Sequence, residues 1–206
     1  MRVLIYSFKG GTGKTSLALN LHLTLDYGVI TNDQYSPVDK VVSPKRLMIL
    51  KEGQGIPFEA LDKAQADIIY DFGGYVDKRV VSAMEDADVV VIPTTNSFSE
   101  IQVARATAVE AEKYNANILF VANKAGKGDL EQVSKALGQW FSYPVLPLKN
   151  TRALARIYSA KKSLRDWKAS SPLNKFVYGD AADQFEAIVA AIEASAAKPK
   201  AKSKSK

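Results

Sequence analysis

Seven consecutive residues, Lys9-Gly10-Gly11-Thr12-Gly13-Lys14-Thr15, hold the densest chemistry in the chain. Glycines at Gly10, Gly11 and Gly13 let the backbone turn so that successive N–H groups converge, and converging N–H groups bind anions. Lys14 places a point charge where the terminal phosphates of a nucleotide would lie, and the Thr15 hydroxyl is an oxygen ligand suited to Mg²⁺. Ser16 continues the first turn of a helix whose N-terminal partial charge adds to the cradle. An ordinary Gly-rich turn would share the glycines. It would lack the Gly-Lys-Thr ending between a strand and a helix.

A phosphate loop needs a further carboxylate to hold its metal through water. Asp71 ends the apolar run Ala66-Asp67-Ile68-Ile69-Tyr70-Asp71 and is followed by Phe72-Gly73-Gly74, which fits a metal-binding aspartate at a strand end. Asp33, just past a second short strand, is the candidate for polarising an attacking water. The same residue also fits an Asx turn in Asn32-Asp33-Gln34.

These residues need a scaffold, and the pattern supplies one. Apolar runs of strand length at 2–8, 29–31, 46–50, 66–71, 87–93, 117–123 and 142–148 alternate with helical stretches, among them 98–114 and 181–196. Strands that read as unbroken apolar runs, each followed by a helix, predict a mostly parallel, doubly wound α/β sheet covered on both faces. The 206 residues suit one such domain, 1–197, with a Lys-rich tail at 198–206 expected to be disordered. His22 reads as a packed or capping residue, and Trp140, Phe141, Tyr143 and Trp167 as packing aromatics.

With no cysteine and a single histidine there is no thiolate or histidine metal site to build. No apolar run reaches the roughly 18–20 residues that span a bilayer. The start lacks the apolar stretch of a signal peptide, so a cytoplasmic protein is expected. The net charge of +6 is unevenly spread: residues 1–148 carry 15 Lys/Arg against 17 Asp/Glu, whereas residues 149–180 carry 8 against 2. Lys149, Arg152, Arg156, Lys161, Lys162 and Arg165 fall in that basic stretch, at spacings that suit a helix and its following loop. Arg152 and Arg156 would share one face. Such a stripe fits a polyanionic partner, or else is a solvated face.

Lys9 directly before Gly-Gly-Thr-Gly-Lys-Thr gives the deviant Walker A pattern K-G-G-x-G-K-[ST]. By this motif the chain resembles the ParA/MinD family of dimerising ATPases. The resemblance extends to Asp71, to the run 87–93, to Val121-Ala122-Asn123-Lys124 and to Val145-Leu146-Pro147-Leu148-Lys149-Asn150. It implies ATP and Mg²⁺ as ligands, with Lys9 reaching across a homodimer to the partner's phosphates, as an arginine finger does in trans. Asn123 matches the position that hydrogen-bonds adenine. Asp33 matches the second carboxylate of the family's D-x-D element, and Thr31 stands where the first would be, which implies weaker metal positioning or slower hydrolysis.

The resemblance is greatest to the small plasmid partition ATPases, because only 38 residues separate Asp33 from Asp71 and no helix-turn-helix domain precedes the first strand. That branch implies non-specific, ATP-dependent DNA binding on the nucleoid through the basic C-terminal third, and a ParB-like or other cargo adaptor. The absence of a bulky apolar terminal helix sets aside the membrane-binding branch. A non-DNA cargo such as a carboxysome or chemoreceptor cluster, a ligase of the dethiobiotin synthetase type, and a non-hydrolysing regulatory module remain alternatives.

Overall fold

The computed structural model describes residues 1–74 and 78–196. The expected apolar runs form seven strands: β1 (Arg2–Ile5), β2 (Gly28–Thr31), β3 (Leu47–Ile49), β4 (Ile68–Asp71), β5 (Val89–Thr94), β6 (Ile118–Ala125) and β7 (Val145–Lys149). They make one sheet in the order β3-β2-β4-β1-β5-β6-β7, and every pairing is parallel. Parallel neighbours require crossovers, and helices lie in most of them: α1 (Lys14–Leu25), α2 (Phe58–Lys63), α3 (Lys78–Asp86), α4 (Phe98–Ala111) and α5 (Asp129–Leu137). Four more helices follow β7: α6 (Arg152–Ala155), α7 (Ile157–Ala160), α8 (Leu164–Ala169) and α9 (Pro172–Ala196). A short 3₁₀ helix, Pro37–Lys40, lies between β2 and β3.

Alternation along each strand explains why the runs are apolar throughout. Val3, Ile5, Val89, Val91, Leu119 and Val121 pack on the face covered by α1 and α9. Leu4, Tyr6, Val90, Ile92 and Phe120 pack on the other face, against α3, α4 and α5. Each fully buried side chain of this size contributes about 1.5–3 kcal/mol. A smaller cluster of Leu19, Val29, Val38, Val42 and Ile157 ties the 3₁₀ helix and α7 to α1.

Two stretches differ from the sequence reading. The closing helix begins at Pro172 rather than near residue 181. The Ser171 hydroxyl accepts the Asn174 N–H at 3.1 Å, and proline suits the first helical position. Gly179 lies inside this helix at a propensity cost of about 1 kcal/mol, which the burial of Ala181, Ala182, Phe185, Ile188 and Ile192 outweighs. The basic stretch is not one helix and a loop but three short helices, broken at Arg156 and again at Lys161, whose φ is 50°. The Lys-rich tail at 198–206 lies outside the described residues.

Candidate functional site

The strand order places β1 and β4 side by side, with Ile5 in register with Asp71 and Thr31 of β2 on the other side of Asp71. The loop after β1, the segment after β2 and the end of β4 therefore meet at the carboxyl edge of the sheet, where ligands bind in open α/β folds. They enclose a cleft of about 910 Å³. Gly10, Gly11, Gly13, Lys14, Thr15 and Ser16 line it on one side, and Asn32–Tyr35 and Asp71–Gly74 on the others.

Gly11 and Gly13 adopt φ of +80° and +91°, a region that side chains avoid. Gly13 is also short of space, since a Cβ there would come within 2.2 Å of Asn123 Nδ2. It is the residue before α1, it gives no side-chain cap, and the first turn carries no acidic residue. The helix thus opens into the cleft with its N–H groups uncapped by side chains.

Lys14 is buried, and its ammonium donates to the carbonyl of Lys9 at 2.8 Å and of Ser7 at 3.4 Å. Burial lowers its pKa, opposed by Asp71 and Asp33. Asp71 is only 2% exposed, and the Thr15 side chain favours its charged form. Burial raises its carboxyl to about 6 against the pull of Thr15 and Lys14. Asp33 is exposed on the cleft wall. Its N–H donates to Thr31 Oγ1 at 3.1 Å and its Oδ1 accepts the Tyr35 N–H at 3.0 Å, so the Asx turn is formed.

Asn123 is buried, and its amide donates to the Thr12 carbonyl at 2.7 Å. Its neighbour Lys124, at φ 55°, lines the cleft and donates to the Gly11 carbonyl at 3.0 Å. Both residues brace the phosphate loop from β6. Nothing in the sequence pattern singles out Lys124, because a lysine in the left-handed region leaves no mark there. Asn32, whose Oδ1 accepts the Gly73 N–H at 2.8 Å, was likewise missed as the bridge between two cleft walls.

Lys9 stands apart from the cleft. Its ammonium lies 3.3 Å from Glu100 Oε1 and 3.4 Å from Ser99 Oγ, at the start of α4.

The basic residues divide into two groups. Lys149 pairs with Asp180 at 3.0 Å, and Arg165 grips Glu186 through two bonds of 2.9 and 2.7 Å. Arg152, Arg156, Lys161 and Lys162 are exposed and make no ion pair among the described residues. Tyr158 of α7 feels the cleft electrostatically: burial together with Asp71 and Asp33 raises its pKa, against the pull of Ser36. His22 is a packed residue, with Nδ1 2.7 Å from the Tyr27 carbonyl.

Solved structures share this fold over nearly their whole length. MinD from Pyrococcus horikoshii OT3, solved with Mg-ADP, superposes with a TM-score of 0.67 at 17% identity, covering 96% of this chain and 99% of that one. The fold is that of the ParA/MinD ATPases. A plasmid partition protein from Borrelia burgdorferi B31, bound to AMPPNP, gives 0.64 at 13% identity, with coverages of 92% and 98%. A Cyanothece McdA variant in complex with ATP gives 0.61 at 14%, with coverages of 93% and 96%. No protein-family model matches the sequence, and no curated protein matches it. The ParA/MinD fold is therefore held here by a sequence far diverged from those structures.

Proposed function

We propose that this chain is a Mg²⁺-dependent ATPase that switches between a monomer and an ATP-bound sandwich dimer, binds DNA without sequence preference as the dimer, and partitions plasmid or chromosome DNA with a ParB-like adaptor. The observation that carries this reading is the separation of two lysines in one loop. Lys14 is folded into its own cleft, whereas Lys9 leaves it and is half-exposed on the surface.

Gly10–Thr15 would hold the phosphates through backbone N–H groups, and Lys14 would exchange its two carbonyl partners for phosphate oxygens. Thr15 and Asp71 offer a hydroxyl and a carboxylate, both hard oxygen donors, and Asp71 is a buried negative charge whose neighbours only partly offset its desolvation. Mg²⁺–ATP supplies the scissile phosphoanhydride and neutralises charge between its phosphates. Asp33 orients a water from the cleft wall. Lys9 of a second copy adds positive charge where negative charge develops in transfer. Asn123 and Lys124 keep the loop in its binding shape, and Asn123 would exchange its bonds to Thr12 and the Lys124 N–H for the adenine once the nucleotide is seated.

Arg152, Arg156, Lys161 and Lys162 supply phosphate contacts to DNA, with Lys149 and Arg165 joining after exchange of their carboxylate partners. Doubling this surface in a dimer raises DNA affinity by effective concentration. An adaptor arm then stimulates slow hydrolysis and releases the dimer from the nucleoid. The test is DNA binding at fixed salt with and without ATP. ATP is expected to raise affinity, and Lys9→Ala to abolish that gain while nucleotide binding survives. Equal DNA affinity in both conditions for the wild-type chain would refute the DNA switch.

A further inference from the structure

Helix α4 opens with Ser97-Phe98-Ser99-Glu100, an S-x-x-E pattern in which serine ordinarily caps the helix and the glutamate reaches back to it. That box is not made. Ser97 takes no helical N–H, and its hydroxyl lies 3.1 Å from the Ser99 hydroxyl instead. The Glu100 carboxylate is diverted: Oε2 accepts the Thr95 hydroxyl at 2.6 Å, and Oε1 faces the Lys9 ammonium at 3.3 Å. Burial pushes the Glu100 pKa up, but the bonds from Thr95 and Lys9 outweigh it and hold the carboxyl below its ordinary range.

We propose that Glu100 is the resting-state anchor of Lys9, a positioning residue that holds the ammonium in cis and must release it before Lys9 can reach a second copy of this chain. The inference rests on the trans role of Lys9 proposed above. The two ends of the contact differ in a way that suits release. Lys9 is 39% exposed and can swing through solvent, whereas Glu100 is 16% exposed and fixed by Thr95. Departure of Lys9 leaves a part-buried carboxylate with one partner fewer, and a symmetric dimer breaks two such pairs. Each pair is of the partly exposed, weak kind, so together they hold the dimer back by about fivefold in Kd. Local helix chemistry is thus set aside for a contact that acts only until the nucleotide-bound partner arrives.

Sedimentation of the full chain with a non-hydrolysable ATP analogue tests this. Glu100→Gln, which is isosteric, is expected to dimerise about fivefold more tightly than wild type. In a Lys9→Ala background the same substitution is expected to change nothing, which a merely structural role for Glu100 would not produce. A second readout needs no dimer. In the nucleotide-free monomer, Lys9 should react at least twofold faster with an amine-acylating reagent, scored by mass spectrometry, once Glu100 is Gln. Thr95→Val, which loosens the anchor and keeps the charge, should move both readouts the same way by less. Unchanged lysine reactivity, or a Glu100→Gln dimer no tighter than wild type, overturns the anchor. Failure of wild type to dimerise with the analogue overturns the switch reading itself, and the reactivity alone then decides whether Glu100 holds Lys9.

Discussion

Asp71 carries a cost that depends on pH and can be measured without any nucleotide. Its carboxyl is raised from 3.8 to about 6 because only 2% of the residue reaches solvent, and Thr15 and Lys14 compensate that burial only in part. A folded pKa above the unfolded one means that the folded chain binds more protons across the interval between them. Stability contributed by this group therefore falls as pH rises from about 4 to about 6, and the loss is complete above about 7. The full difference corresponds to about 3 kcal/mol, and removing the charge also takes a partner from Lys14, which returns part of it. Asp71→Asn should thus be more stable than wild type by about 1–3 kcal/mol at pH 8 and equal to it near pH 4. Urea unfolding of both proteins at pH 4, 6 and 8, compared at unchanged m, isolates the group from other carboxylates. A stability difference that is independent of pH, or one that favours wild type at pH 8, would refute the reasoning. Adding Mg²⁺ and ATP should reverse the ranking, since wild type alone keeps the full donor set.

Two further outcomes follow from distances. Gly13→Ala combines a φ of +91° with a Cβ placed 2.2 Å from Asn123 Nδ2, so it should cost about 1–3 kcal/mol in thermal unfolding and abolish nucleotide binding; adding Asn123→Ala should recover part of the stability, because the collision goes and the backbone strain stays. Replacing Arg152 and Arg156 together by Ala should lower the salt slope of DNA binding by about 2 per chain, measured as log affinity against log salt. Replacing Lys149 and Arg165, which are already paired with Asp180 and Glu186, should lower it by less.

The phosphate loop was legible because its chemistry is local: strand, glycines, Lys14, Thr15 and helix follow one another without a break. Asp71 was legible for the same reason, as the end of an apolar run. The strand order required the third dimension, although the parallel class followed from runs that are apolar on both faces. The start of α9 was misread because Lys175, Gly179 and Asp180 obscure the apolar stripe that becomes continuous only from Ala181. The basic segment reads as a helix and its following loop because Arg152 and Arg156 are four apart, but left-handed backbone at Lys161 ends α7, and charge spacing carries no information about that. Glu100 was invisible for a different reason. Its sequence context already had a sufficient local explanation as a capping glutamate, and only the fold shows the carboxylate turned towards Lys9.

The first strand occupies the middle of the sheet, between β4 and β5, with Arg2 beside Ile68 and Val3 beside Val89. As the chain leaves the ribosome, the glycine-rich loop is made before the strands that flank β1, and stays unsupported while about eighty further residues are added. Its brace, Asn123 and Lys124, follows later still. A half-synthesised chain therefore exposes the loop's sequence without its shape and should have no appreciable affinity for nucleotide. The nucleotide binding proposed above would become possible only once β6 had docked, and from then on ligand would stabilise the finished fold by mass action. On the function proposed above, nucleotide would thus act as a check on completed synthesis before it served as fuel.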